Sequence, residues 1–295
     1  SWPWPRGRHG QLIDLLSEAG AKVILVDMFF DLPSTPEEDA ALTAAIKRSG
    51  RVLLTGEIIS EQVGTASIGE PGSGEDGGVF RAEAQHTRKP IDEFLEPSKG
   101  YGISLLPDDS DGVVRRVKLA WELPGEERED VYVTGLVAAA LAQGTTPEKL
   151  YQRWQPSCMP EHPWMDGDDL LIDYRRPLPE GFTYYSYAAV LDGEVPPEAF
   201  RGKVVLVGMR SGLEPDLKGH PMGLSVPTAE GSASPEESLL LEKMAGVETL
   251  AHITDMLMGG RPPRPAGSRR FLSLAKPKGP RRLPACYRAT GSCRL

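Results

Sequence analysis

The sequence predicts an α/β protein, with a mixed, largely parallel central sheet flanked by helices and a disordered basic tail. Three observations predict it. Residues 22–30, 51–59 and 203–207 are near-continuous apolar runs of strand length, the pattern of strands buried on both faces. Capped helical patterns alternate with these runs, as crossovers between parallel strands require. Residues 261–295 hold ten Lys or Arg and no Asp or Glu, with little apolar periodicity. Such a segment buries too little surface to offset its ordering entropy. The expected organisation is one body over residues 1–260 and a disordered Arg/Lys/Pro-rich tail over 261–295.

The elements follow in order. Residues 9–19 put Leu12, Ile13, Leu15 and Leu16 on one helical stripe, and Gly20 supplies a left-handed stop. The apolar run 22–30 is the first strand. Thr35-Pro36-Glu37-Glu38 is a capping box with proline at the first helical position, Leu42, Ala45 and Ile46 form the apolar face, and Gly50 closes the helix. Residues 51–59 form the second strand, completing a βαβ signal. Residues 60–99 are rich in glycine, serine and charge, and read mostly as loop. Residues 101–106 and 113–121 read as strands joined through Asp108-Asp109-Ser110-Asp111-Gly112. An alanine-rich helix over 132–143 ends at Gly144, and Thr146-Pro147-Glu148 opens a shorter one. Residues 170–174 form a strand, 185–191 one or two helical turns, and 203–207 another strand. Ser234-Pro235-Glu236-Glu237 is a second capping box, and a last helix covers 247–258 after a break at Gly246.

Bulk composition narrows the function classes. The net charge of −9 hides an asymmetry: once the ten basic residues of the tail are set aside, 23 bases face 42 acids. An acidic body repels phosphate backbones, so nucleic acid is not expected as a partner. Only Cys158 of the three cysteines lies in the body, so no disulfide is expected within it. The longest apolar runs fall far short of the ~20 residues of a membrane helix. The chain begins at Ser1, and it reads as a soluble piece of a longer protein.

Several motifs have plainer readings. Gly72-Ser73-Gly74-Glu75-Asp76-Gly77 matches a phosphate-loop pattern, but it neither follows a strand directly nor opens a helix, and its two acids would repel a pyrophosphate. The acidic run at 108–112 resembles a calcium loop, but Pro107 and Lys118 occupy ligand positions that call for acids, so it reads as a turn. Cys158 and His162 lack a second ligand pair, so no metal is expected. Neither a G-x-S-x-G elbow nor an H-E-x-x-H motif occurs, so no catalytic residue and no cofactor is assigned.

Asp27 stands apart. It sits in Leu25-Val26-Asp27-Met28-Phe29-Phe30, where an unpaired charge is costly. Carboxyl ends of parallel strands also line ligand crevices in open α/β sheets. Asp27 therefore either caps the following loop or faces a ligand. The same two readings apply to Asp173-Tyr174-Arg175 and to Asp216. If Asp27, Asp173, Arg175 and Asp216 converge, their cleft is net acidic and suits a cationic or polyhydroxylated ligand.

An ordered set of short motifs carries a family resemblance. It comprises Trp2-Pro3-Trp4-Pro5-Arg6 with Asp14, then Asp27, Asp111 through Arg116, Asp173-Tyr174-Arg175 and Ser186-Tyr187-Ala188 with Val190-Leu191. It continues with Arg201-Gly202-Lys203, the strand ending at Val207-Gly208, Asp216 and Gly246-Val247-Glu248. Over roughly residues 1–260 the chain resembles the type-two CHASE domain, an extracellular sensory module of bacterial membrane receptors. The resemblance implies a non-enzymatic sensor at the outer or periplasmic side of the membrane. It also implies flanking membrane helices and an intracellular cyclase, histidine kinase or Ser/Thr kinase. The expected ligand site is Asp27, Asp173, Tyr174, Arg175, Asp216 and Glu248. The expected partners are a small-molecule or protein ligand and a second copy of the chain. A soluble α/β enzyme and a structural dimerisation module are the competing readings. Two departures stand out: Met209-Arg210-Ser211 where the family often has Ala/Thr-type residues, and Glu248-Thr249-Leu250 where it has Glu-x-His, with His252 two places later.

Overall fold

The computed structural model describes residues 4–68, 78–106, 108–109, 111–123, 129–154, 165–166, 169–174, 182–210, 217–221 and 243–259. The glycine motif at 72–77, Cys158 and His162, Arg175, Asp216, the second capping box and the tail lie outside those residues.

Helix α1 (Arg6–Glu18) buries Leu12, Ile13 and Leu16, and the chain turns at Gly20 with φ +82°. It begins three residues before the expected start, because Pro5 sits at the N-cap and the glycines at 7 and 10 dilute the apolar stripe. Strand β1 (Val23–Val26) is buried on both faces: Val23 and Leu25 enter one core, Ile24 and Val26 the other. The strand ends at Val26 rather than running to Phe30. Phe30 still reaches the core, whereas Phe29 is 44% exposed. Helix α2 (Pro36–Ser49) has Thr35 as N-cap, accepting from the Glu38 N–H at 3.4 Å, and Gly50 as a left-handed C-cap. The Glu38 carboxylate does not close the box. It accepts from the Gly7 N–H at 2.5 Å and so ties the start of α2 to the start of α1.

Strand β2 (Val52–Ile68) is followed by β3 (Gly78–Arg88), α3 (Asp92–Leu95) and β4 (Tyr101–Ile103). Then come β5 (Arg116–Lys118), β6 (Ala120–Leu123), β7 (Glu129–Tyr132), α4 (Thr134–Gln143), α5 (Pro147–Trp154), β8 (Met165–Asp166), β9 (Asp169–Leu171) and α6 (Tyr187–Leu191). Strand β10 (Val204–Val207), β11 (Leu217–Gly219), β12 (Lys243–Ala245) and α7 (Gly246–Gly259) complete the described chain.

The three apolar runs share one sheet, as expected. Its parallel part has the order β10-β1-β2-β4, with Val23 opposite Val204, Ile24 opposite Val52 and Leu54 opposite Tyr101. The fifth strand, β3, is antiparallel to β2. Helices α1 and α2 cover one face; α4 and α7 cover the other, along with β5 and β9. Close approach is built in at two glycines. A methyl at Gly135 would lie 2.8 Å from Ile253 of α7, and one at Gly208 would lie 2.7 Å from Val247. Smaller antiparallel sheets, β5-β9-β8, β6-β7 and β11-β12, surround the α4–α7 side.

Three expectations are corrected. Residues 60–99 are not mostly loop: β2 continues to Ile68 and pairs with β3 over most of its length. Polar and charged residues fall on both faces of this strand pair, so no clean apolar alternation marks it. The expected strand 113–121 is split into β5 and β6, which pair with β9 and β7 rather than with β4. The strand expected at 170–174 stops at Leu171. The acidic run before β5 is the turn expected. Gly112 has φ +76°, and Arg115 holds Asp109 at 2.9 Å and Asp111 at 2.7 Å. The Asp111 carboxyl is held below its usual range, first by the hydrogen bond from Arg115.

Candidate functional site

The expected site residues do not form one described cluster. Asp27 follows β1. Its N–H donates to the Val207 carbonyl at 2.7 Å, and its carboxylate accepts from the Ser104 hydroxyl at 2.9 Å. It therefore links the end of β10 to the chain leaving β4, across β2. This arrangement suits the capping reading. Asp173 is half-buried beyond β9. Tyr174 turns into the core: its hydroxyl donates to the Val114 carbonyl at 3.0 Å, and its ring lies 5.0 Å from that of His252 on α7. Burial raises its hydroxyl well above the usual phenol range. Glu248, in the first turn of α7, is the expected residue that the structure places on the wall of a large groove.

That groove has a volume of about 620 Å³ and runs along β10. Its floor is the main chain and side chains of Val204 through Gly208. One wall is the segment Tyr184-Tyr185-Ser186, and the other is the start of α7 at Val247, Glu248 and Ala251. The volume lies within the range of small-molecule sites. The strand itself explains the opening. Lys203 and Val207 turn their carbonyls to β1, where Lys22 and Asp27 donate to them at 2.7 Å each. Alternate residues of a strand point their peptide groups in opposite directions, so Val204 and Leu206 present theirs to the groove. Among the described strands, only β1 pairs with β10.

The polar anchor of the groove is Arg210. Its Nε–H donates to the Glu248 carboxylate, and its guanidinium lies 4.8 Å from the Tyr184 ring centre. The Glu248 side chain is 3% exposed, whereas that of Arg210 is 34% exposed. The Tyr184 hydroxyl is pushed well above its usual range, first by burial and then by the charge of Glu248, to which it hydrogen-bonds. Glu248 thus has its counter-charge from Arg210 and a second hydrogen bond from Tyr184. The described charges lining the groove are Lys203, Arg210 and Glu248, so the balance there is cationic. Among the described residues no group of three or more His, Cys, Asp or Glu is arranged to hold a metal.

A second constellation joins several motif residues away from the groove. The Trp4 ring meets Tyr187 edge-on at 4.4 Å, and the Tyr187 hydroxyl lies 2.8 Å from Nδ1 of buried His9. Arg6 pairs with Asp39 at 2.5 Å, donates to the Leu32 carbonyl, and lies over the rings of Phe30 and Phe94 at 5.5 and 5.1 Å. Burial, then the charge of Arg6, lowers the pKa of His9. These motif residues are packing clamps between α1, α2 and α6. Gly202 serves similarly. With φ +71° it donates its N–H to the Gly20 carbonyl at 2.8 Å and sets the entry to β10.

The chain matches the CHASE2 domain family over residues 1–274 and belongs to that family. No curated protein and no solved structure matches it. CHASE2 domains are sensory domains, typically the extracellular part of membrane signalling proteins, and are non-catalytic in themselves. Among the described residues no helix is long and apolar enough to cross a membrane.

Proposed function

We propose that this chain is the extracellular ligand-binding part of a bacterial membrane receptor with a cyclase, histidine kinase or Ser/Thr kinase output, and that its ligand occupies the groove beside β10. The observation that carries this reading is a groove of drug-like size along a strand edge that no described strand pairs with, with one half-exposed arginine as its polar anchor. Tyr184, Tyr185 and Phe200 offer apolar area, and Arg210 and Lys203 offer positive charge. The ligand class that fits is an elongated, largely apolar molecule with an acidic group.

The groove also suggests how a signal leaves it. Val247, Glu248 and Ala251 belong to α7, the last described helix, while the floor belongs to β10. A ligand touching both favours one spacing of helix against strand. Such differential contact shifts a two-state equilibrium. Asp27, Asp173 and Tyr174 hold the surrounding frame in this reading, and Glu248 orients Arg210.

Anilinonaphthalene sulfonate, an aromatic anion that fluoresces in apolar sites, tests the proposal. The native chain should bind it saturably at one site. Ala251→Trp, which fills the groove, should abolish binding. Arg210→Gln should weaken it about tenfold, the equivalent of about 1.4 kcal/mol for a lost charge-assisted bond. Equal binding by both variants and the native chain would place the ligand elsewhere.

A further inference from the structure

Beyond the sheet, β2 and β3 form a two-stranded ribbon. From Glu57 opposite Arg88 to Ile68 opposite Gly78 they pair with each other, with one bulge at Val63. At about 3.4 Å per residue the ribbon is close to 40 Å long. Past Gly56, no other described strand pairs with either edge. An isolated two-stranded ribbon is marginal in water; a third strand and an apolar face are needed for stability.

Register alone divides the ribbon's residues between its faces. From Gly64 on, one face carries Gly64 with Ala82, Ala66 with Phe80, and Ile68 with Gly78; nearer the root the same face carries Glu61 with Ala84, Ile59 with His86 and Glu57 with Arg88. The other carries Ser60 with Gln85, Gln62 with Glu83, Thr65 with Arg81, and Ser67 with Val79. The outer part of the ribbon, from Gly64 to Ile68, is therefore two-faced, with small and apolar residues on one side and mostly polar ones on the other.

We infer that this ribbon is the dimerisation element, and that its partner is β3 of a second copy, paired edge to edge and antiparallel about a twofold axis at Ala82. The sequence of β3 selects this register. Pairing must keep like faces together, so only registers centred on a residue are admissible. A centre at Arg81 sets two arginines opposite each other, and a centre at Glu83 sets two glutamates opposite each other. Centres at Phe80 or Ala84 leave both charges without an opposite charge across the strand. A centre at Ala82 places Arg81 opposite Glu83 of the second copy, twice by symmetry, with Phe80 opposite Ala84 on the apolar face. Opposite charges directly across a strand pair stabilise it, and like charges destabilise it. The product is a four-stranded sheet whose central rungs place Phe80, Ala82 and Ala84 of both copies on one face, an isologous interface closed by the twofold axis.

The root of the ribbon supports the same partner. Arg88 pairs with Asp31 at 3.4 Å and lies 5.1 Å from the Phe29 ring centre. Phe29 and Leu32, 44% and 68% exposed, therefore stand beside the root of this edge. Antiparallel pairing about Ala82 sets Gly78 at the tip of one ribbon opposite His86 near the root of the other. The apolar tip is thereby delivered to the exposed apolar pair of the second body.

Sedimentation velocity over a concentration series tests this, on the full chain with circular dichroism as a folding control. The native chain should show a reversible monomer–dimer equilibrium. Arg81→Glu and Glu83→Arg should each weaken the dimer about tenfold or more, since attraction becomes repulsion at two symmetric places. The double variant Arg81→Glu with Glu83→Arg should restore it. With Cys158, Cys286 and Cys293 changed to serine, Ala82→Cys should cross-link two chains on mild oxidation. A native chain that stays monomeric and whose Ala82→Cys variant fails to cross-link overturns the inference. So does a dimer indifferent to the single reversals, and so does a dimer weakened by both and not restored by the double variant.

Discussion

Two arginines in this molecule have nearly the same local chemistry and very different surroundings. Arg6 pairs with the Asp39 carboxylate and lies over Phe30 and Phe94; Arg210 pairs with Glu248 and lies over Tyr184. Both carboxylates are sealed, at 5% and 3% side-chain exposure, but Arg6 is 14% exposed and Arg210 is 34% exposed. The difference comes from the strand arrangement. The α1 side of the sheet is closed by α2, α3 and the loop after β1, whereas among the described strands β10 pairs with β1 alone. The same ion pair is a clamp where helices cover it and a ligand anchor where a strand edge leaves it facing a groove.

The largest effect should come from breaking the sealed pair. Arg6→Ala leaves the buried Asp39 without its counter-charge and removes two ring contacts. It should lower unfolding free energy by about 3–5 kcal/mol, read from the denaturant midpoint. The open pair should cost less. Arg210→Ala leaves Glu248 with Tyr184 and with water admitted through the groove, and a loss of about 1–2 kcal/mol is expected in the same assay. Comparable losses for the two variants would erase the distinction between clamp and anchor.

A pH series sharpens the clamp side. The folded pKa of His9 lies below its unfolded value of about 6.5. The folded state therefore binds fewer protons, so stability is full above that value and declines as pH falls below it, until the folded value is passed. Melting midpoints measured between pH 7.5 and 5 should fall more steeply for the native chain than for His9→Gln. Parallel curves would show that His9 carries no part of the acid sensitivity. The smallest effect is expected at the sheet edge. Ser104→Ala removes one hydrogen bond to Asp27 and should cost about 1 kcal/mol. Binding of anilinonaphthalene sulfonate should be unchanged, because that bond links β-strand ends rather than groove walls. Weakened binding in this variant would return Asp27 to the ligand site.

What the sequence disclosed and what it hid follow from range. The runs that became β1 and β10 are apolar on both faces, and the caps at Thr35, Gly50 and Gly144 act within a few residues, so both are readable along the chain. The ribbon is not. Both its faces mix small, polar and charged residues, and the bulge at Val63 shifts its phase midway. The site residues were hidden for a related reason. Asp27 was conspicuous as a charge in an apolar run, but its partners come from β10 and the end of β4, far away in sequence. The groove needs Tyr184 and Arg210 brought to the same strand edge, which no spacing reveals. The available sign was the departure from the family pattern at Met209-Arg210-Ser211. A long cation replaces small residues just past the end of β10, at the groove.

The most direct test of clamp against anchor is one set of thermal melts with and without saturating anilinonaphthalene sulfonate, on the native chain, Arg6→Met and Arg210→Met. Arg6→Met should melt far below the native chain yet keep the full probe-induced rise in midpoint. Arg210→Met should melt close to the native chain and lose most of that rise. A full rise in Arg210→Met together with its loss in Arg6→Met would contradict the account, because the covered side of the sheet would then be the side that meets the ligand.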